Sequence, residues 1–260
     1  IFGDQMNEHE KFKAQCAEEI FAMGRDPDLT ARSIEWLIAS SKYHYSYHFE
    51  WLGRPIIQYP TDIVALQEII WSQQPDLIIE TGVAHGGSLI LNASILALLD
   101  LFDLEAGKSK RNPRKVIGID IDIREHNRTA IGQHPLSNRI ELLEGSSTSL
   151  DVVSRIEKLV SAYNKVMVIL DSDHSYKHVL AELMIYQKFV SWDQYLVVFD
   201  TVIESFPEGS FSNRDWDKGN NPFTAVNQFL EQTSDFCLDT KIQDKLLVTV
   251  APSGYLKRIK

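Results

Sequence analysis

The chain is predicted to fold as an α/β protein: a doubly wound, mostly parallel sheet with helices on both faces and an antiparallel hairpin near the carboxyl end. Three observations predict this. Apolar runs at 77–79, 116–119, 166–170 and 195–199 are short and each is followed by an acid, as strands buried on both faces and open at their carboxyl ends would be. Helical stretches with apolar faces separate the runs. The first run passes into the small-residue turn Glu80-Thr81-Gly82-Val83-Ala84-His85-Gly86-Gly87-Ser88, which opens a long apolar helix.

Composition narrows the class. The 260 residues suffice for one large α/β domain, 44% are hydrophobic and 24% charged, and the core can be of useful size. A formal net charge of −10 argues against a general nucleic-acid binder. Cys16 and Cys237 are far apart and make neither a disulfide framework nor a zinc set, which points to a reducing compartment, the cytoplasm. Ile1–Gln5 lack the basic and apolar regions of a secretory signal. The apolar stretch Leu89–Leu101, broken by Asn92, Ser94 and Asp100, reads as a core helix too short and polar to span a bilayer.

In chain order, residues 8–24 carry Phe12, Cys16, Ile20 and Met23 on one helical face. Asp26-Pro27-Asp28 ends that helix, and Asp28 or Thr30 is the expected cap of the next, 31–40. The run from Lys42 to Gly53 is rich in aromatics and histidine, and reads either as a wall over the pocket or as packing of an N-terminal extension. The prolines at 55 and 60 make 54–60 an extended connector. Thr61 or Asp62 is the expected cap of a helix over 63–72. A polar loop with five basic residues spans 106–115. Helices are expected over 126–134, 150–162, 176–190 and 223–233. Further strands are expected at 139–144, 236–238, 246–251 and 254–259, the last two as the hairpin.

The glycine turn is not a phosphate loop. It lacks the Lys-Ser/Thr pair and the G-x-G-x-x-G spacing, and the acid before Gly82 would repel phosphate. A cationic, hydroxyl-bearing ligand suits it, and S-adenosylmethionine (SAM) has a sulfonium, an ammonium and a ribose. Asp120, at the end of the second run, stands where a ribose diol would sit, with Asp122 as its neighbour. Asp171 and Asp200 end two further runs; brought together they repel unless a cation or proton separates them, and their oxygens suit Mg²⁺. His174 lies three residues beyond Asp171. The turn-rich stretch 204–222 emerges after Asp200 and reads either as a substrate lid over the same mouth or as a disordered insertion.

The turn from Glu80 to Ser88 resembles the SAM-binding loop of class I methyltransferases, above all the metal-dependent relatives of catechol O-methyltransferase. The segments Trp51-Leu52-Gly53-Arg54-Pro55, Ala84-His85-Gly86-Gly87-Ser88, Gly118-Ile119-Asp120-Ile121-Asp122-Ile123-Arg124 and Gly219-Asn220-Asn221-Pro222 are similar to the family labelled cephalosporin hydroxylase, itself akin to macrocin-type sugar O-methyltransferases. The resemblance covers roughly residues 45–259. It implies a Rossmann-like, seven-stranded sheet in a domain over 51–260, preceded by a helical extension over 1–50. It also implies that Glu80, Gly82, Ala84, His85, Gly86 and Ser88 hold the methionine part of SAM, Asp120 the ribose and Ser147 the adenine side, with Asp171 touching both cofactor and metal. Asp171 and Asp200 match two metal positions; the third falls on Thr201, where relatives carry Asn or Asp. His174 matches the general base.

The expected activity is SAM-dependent, Mg²⁺-assisted methyl transfer to a hydroxyl of a sugar or another natural product, in a protein that relatives suggest self-associates. Two alternatives stand beside it: a hydroxylase, for which the sequence offers no two-His-one-carboxylate iron site, and a non-catalytic SAM-binding subunit of a biosynthetic complex.

Overall fold

The computed structural model describes residues 7–108 and 112–260, so the readings of Ile1–Gln5 and of Lys110 and Arg111 in the basic loop lie outside the described residues. Two helices come first, α1 (Glu8–Met23) and α2 (Pro27–Ser41). Asp26 takes the place expected for Asp28 or Thr30: its carboxylate accepts from the Leu29 N–H, and Pro27 presets the first turn. α1 buries none of its residues, so the face expected from Phe12 to Met23 does not reach the core. α2 does reach it, through Leu37.

A 3-10 turn (Tyr45–His48) leads into the two-stranded ribbon β1 (Phe49–Trp51) and β2 (Arg54–Ile56). Tyr45 meets Trp36, Phe49 and Tyr59 at ring-centroid distances of 5.0, 5.1 and 5.5 Å. The aromatic run thus fastens α2 to the connector; of the two readings, packing is the one observed. α3 (Pro60–Gln73) follows, and neither Thr61 nor Asp62 caps it. Thr61 donates to the Val248 carbonyl, while Asp62 is buried and accepts from Thr249 Oγ1, the Val250 N–H (3.0 Å) and the Tyr255 hydroxyl (2.9 Å). Both side chains hold the far C-terminal segment against α3.

The remaining elements alternate as the apolar runs predict: β3 (Leu77–Thr81), α4 (Gly87–Glu105), β4 (Lys115–Asp120), α5 (Glu125–Gly132), β5 (Ile140–Glu144), α6 (Leu150–Val160), β6 (Val166–Leu170), α7 (Tyr176–Tyr186), β7 (Tyr195–Val198), α8 (Pro222–Gln232), β8 (Phe236–Leu238), α9 (Thr240–Leu246) and β9 (Tyr255–Arg258). The seven-stranded sheet runs β5-β4-β3-β6-β7-β9-β8, with β5 to β7 parallel and β9 antiparallel to both its neighbours. The antiparallel pair at the carboxyl end is present, but β9 pairs with β8. Residues 246–251 form no strand, because Asp62 takes the Val250 N–H and Val202 N–H bonds the Val250 carbonyl.

Strand alternation divides the core in two. Ile78, Val116 and Met167 pack with Leu66 and Leu96 from α3 and α4, whereas Leu77, Ile79 and Val168 pack with Ile156, Leu183 and Phe229 from α6 to α8. α4 is longer than expected, at 19 residues, and passes by length and composition for a membrane span. Residues Leu89 to Leu99 supply its buried face in the core. Beneath it, buried Arg114 pairs with Asp100 (2.6 Å) and Asp103 (2.9 Å), fixing the start of β4.

Candidate active site

The chain reverses its direction of winding between β3 and β6, so the carboxyl ends of those strands open a crevice at the sheet's switch point. The glycine turn fills one side of it. Gly82 (φ +92°) must be glycine, since a Cβ there would stand 1.9 Å from the Asp171 carbonyl oxygen. Gly87 lets α4 start against the connector; its Cβ would lie 2.2 Å from the Pro55 carbonyl oxygen. The crevice is small and open to solvent, and is lined by Gly82, Ala84, His85, Gly86, Ser88 and Asp171 with Gln58 and Ile57 from the connector. Six of the expected cofactor residues are therefore neighbours.

Glu80 is placed beneath the turn rather than on its open side. It is 1% exposed, and its two oxygens accept from Ser88 Oγ and Asn92 Nδ2. Burial pushes its carboxyl up to about 7, against the pull of those two donors. Asp120 ends β4 and stands over the turn: one oxygen accepts from the Val83 N–H at 2.9 Å, the other from the Asp122 N–H at 3.2 Å. Ser147, beyond β5, shares a hydrogen bond with His178 Nε2 at 3.2 Å, and its carbonyl accepts from the Tyr186 hydroxyl.

Asp171, His174 and Asp200 offer ligand atoms all within 4.8 Å of one another, and no other such group occurs among the described residues. His174 Nε2 lies 3.4 Å from Asp200 Oδ2, and Gln58 Nε2 donates to Asp171 Oδ2 at 3.1 Å. Burial, then the charge of Asp200, raises Asp171 well above the usual carboxylate range. Thr201 does not join them. It is 1% exposed, and its hydroxyl donates to the Pro252 carbonyl at 2.6 Å. The stretch 206–221 is a tied loop: Gly219 N–H and Asn221 Nδ2 both donate to Glu204 Oε2, and Tyr176 N–H donates to Asn220 Oδ1. From it Trp216 meets the His174 ring edge-on, centroids 4.9 Å apart.

Several site residues have no counterpart in the sequence reading. Arg54 donates through Nε (3.0 Å) and Nη2 (2.6 Å) to the His85 carbonyl, and Asn127 donates to the Ala84 carbonyl (2.9 Å). Arg54 lies inside one of the signature segments quoted above, which was the one signal available for it. Trp216 lies inside the stretch 204–222, which one of its two readings lays over the site, whereas Gln58 and Asn127 had no signal.

Sheet order, switch-point crevice and acid-tipped strands define the chain as a Rossmann-like protein of the class I methyltransferase type. A sequence model described as rhamnosyl O-methyltransferase/CmcI matches residues 43–259. The rhamnosyl O-methyltransferase of Mycobacterium tuberculosis (strain ATCC 25618 / H37Rv) is 31% identical over 204 residues, 76% of this chain and 73% of the relative. That of Mycobacterium leprae (strain TN) is 30% identical over 210 residues, 80% and 82% of the two. Among solved structures, one titled cmcI-D160 Mg-SAM superposes with a TM-score of 0.53 at 16% identity, covering 82% of this chain and 78% of its own, a likeness of fold. The chain belongs to the rhamnosyl O-methyltransferase/CmcI family.

Proposed function

We propose that this chain transfers a methyl group from SAM to a hydroxyl of a sugar or glycosylated natural product, assisted by a divalent cation such as Mg²⁺. The observation that carries the reading is the crevice in which the glycine turn abuts Asp171, on the rim that also holds Asp200 and His174. Its negative edge and narrow glycine wall suit a sulfonium and an ammonium. Gly82 to Ser88 would cradle the methionine portion, with Glu80 holding the turn from below. Asp120 would take the ribose with the acceptor capacity that the Val83, Ala84 and Asp122 N–H groups leave free, and Ser147 would border the adenine.

The donor chemistry at Asp171 and Asp200 fits a small hard cation: two carboxylates whose mutual repulsion a divalent ion relieves, one already oriented by Gln58. Such an ion, when bound, polarises an acceptor hydroxyl as a Lewis acid. The chain itself orients the acceptor against the methyl donor, and alignment of the reacting atoms is where most of the acceleration arises. From the tied loop over 206–221, Trp216 packs against His174 on that rim.

The rhamnosyl relatives support a deoxyhexose unit as the acceptor. The hydroxylase alternative is not favoured, since the gathered cluster is one histidine with two carboxylates rather than the two-histidine iron triad. Residues 51–260 form the catalytic domain in this proposal and 1–50 a helical extension; free Cys16 and Cys237 accord with residence in the cytoplasm. Calorimetry with S-adenosylhomocysteine, followed by transfer of labelled methyl from SAM to a rhamnosylated acceptor, tests the proposal. Absence of any affinity for S-adenosylhomocysteine ends it.

A further inference from the structure

The cation site leaves one ligand position to be explained. Asp200 has left-handed backbone torsions (φ 56°, ψ 20°), and the chain then enters the 3-10 turn Thr201–Ser205. That turn buries Thr201 and spends its hydroxyl proton on Pro252, so the side chain after Asp200 lies inside the protein. A neutral hydroxyl is in any case a weak ligand beside two carboxylates. His174, by contrast, is part-exposed on the rim, with Nε2 3.4 Å from Asp200 Oδ2.

We propose that His174 is the third protein ligand of the cation, in the position that Thr201 vacates, and thus has a different task from the proton acceptor implied by resemblance. The inference rests on the cation reading above. Ligand atoms about 2.1 Å from one small ion lie roughly 3 Å apart when adjacent and about 4.2 Å apart when opposite. Asp171, His174 and Asp200 offer ligand atoms all within 4.8 Å of one another, and His174 Nε2 is 3.4 Å from Asp200 Oδ2, near the spacing of adjacent ligands, so the three can share an ion once their side chains draw in around it. Two features of the surroundings hold a ligating imidazole in place. Trp216 packs edge-on against the ring, and α7 begins two residues later, where its first N–H is fixed to Asn220. A nitrogen donor among carboxylates moves the preference away from Mg²⁺ and toward Mn²⁺, which accepts imidazole more readily.

Mn²⁺ is therefore the probe. In the full chain its affinity is read by titration followed by electron paramagnetic resonance, and its donors by electron spin echo modulation from ¹⁴N. The expected result is Mn²⁺ bound more tightly than Mg²⁺, with nitrogen modulation present. His174→Ala removes the modulation and raises the Kd at least about tenfold. His174→Asn, which restores an oxygen donor, recovers affinity without the nitrogen signal. Thr201→Val leaves both Kd and modulation as they were. Circular dichroism and S-adenosylhomocysteine affinity report that each variant is folded. Mn²⁺ bound by the wild type without nitrogen modulation overturns the inference, as does a loss of affinity confined to Thr201→Val. If no Mn²⁺ binds at all, the cation half of the proposed function falls too, whereas affinity for S-adenosylhomocysteine remains a separate reading of the donor half.

Discussion

Asp200 Oδ2 lies 3.4 Å from His174 Nε2, although one residue lies just beyond β7 and the other in the turn after β6. This pair joins two neighbouring parallel strands at their carboxyl ends, next to the crevice that Asp171 shares with the glycine turn. Removing the imidazole should damage methyl transfer without disturbing the donor pocket. His174→Ala is expected to keep the Kd for S-adenosylhomocysteine within about twofold and to lower kcat/KM at least about a hundredfold. Equal turnover in variant and wild type would exclude the cluster from the reaction.

Gly82 is the contact by which the turn is seated on β6. Gly82→Ala places a methyl group 1.9 Å from the Asp171 carbonyl oxygen at a torsion (φ +92°) that L residues rarely adopt. The turn must lift away, at a cost of about 1–3 kcal/mol by the usual measure of overpacking. Both the Tm and the affinity for S-adenosylhomocysteine should fall. A variant with native affinity would show that the turn tolerates movement here and that the crevice is not shaped by this approach.

The parallel part of the sheet was legible because its strands are buried on both faces: runs such as Val166 to Leu170 have no polar alternation and admit few other readings. The same runs gave Asp171 and Asp200 through the acids that follow them. The C-terminal segment was misread for a definite reason. Val248 and Val250 have strand-like side chains, but Thr61 takes the Val248 carbonyl and Asp62 the Val250 N–H, from nearly 190 positions earlier, and no local pattern encodes that. Thr61 and Asp62 looked like helix caps for the same cause: a cap and a buried anchor use identical residue types. Trp216 reaches His174, and Arg54 the glycine turn, only through tertiary approach, so neither role was written in spacing.

Glu80 should make stability fall with rising pH. Its carboxyl is raised by burial from 4.5 to about 7, so in the window between those values the native state holds a proton that the unfolded chain has released. Stability attributable to this group is full below about 4.5 and is lost as pH climbs through 7. Glu80→Gln keeps a neutral acceptor and donor in place and removes the penalty, a gain on the order of 3 kcal/mol at pH 8 and little change at pH 4. Asp62, raised to about 6 by the same cause, adds a similar slope that the variant retains. Urea unfolding of both proteins at pH 4 and 8 checks this. Parallel pH profiles would mean that Glu80 stays ionised through its hydrogen bonds with Ser88 and Asn92.

Arg54 and Asn127 act on the glycine turn as one clamp. Arg54 holds the His85 carbonyl, Asn127 holds the Ala84 carbonyl, and Arg54 Nη2 also donates to Asn127 Oδ1 at 3.1 Å, so each fixes the other. With both carbonyls tied back, the turn keeps its shape toward the crevice before any ligand arrives, which spares the ordering cost at binding. Arg54→Met should weaken S-adenosylhomocysteine about tenfold, and Asn127→Ala should do likewise. Because the two side chains share a partner, the double variant should lose less than the sum of the single losses, by about 0.5–1.4 kcal/mol, the upper figure being the worth of one tenfold loss. Calorimetry on the four proteins measures that difference. Losses that add to within about 0.3 kcal/mol would show two independent supports, and the clamp would then be a coincidence of proximity.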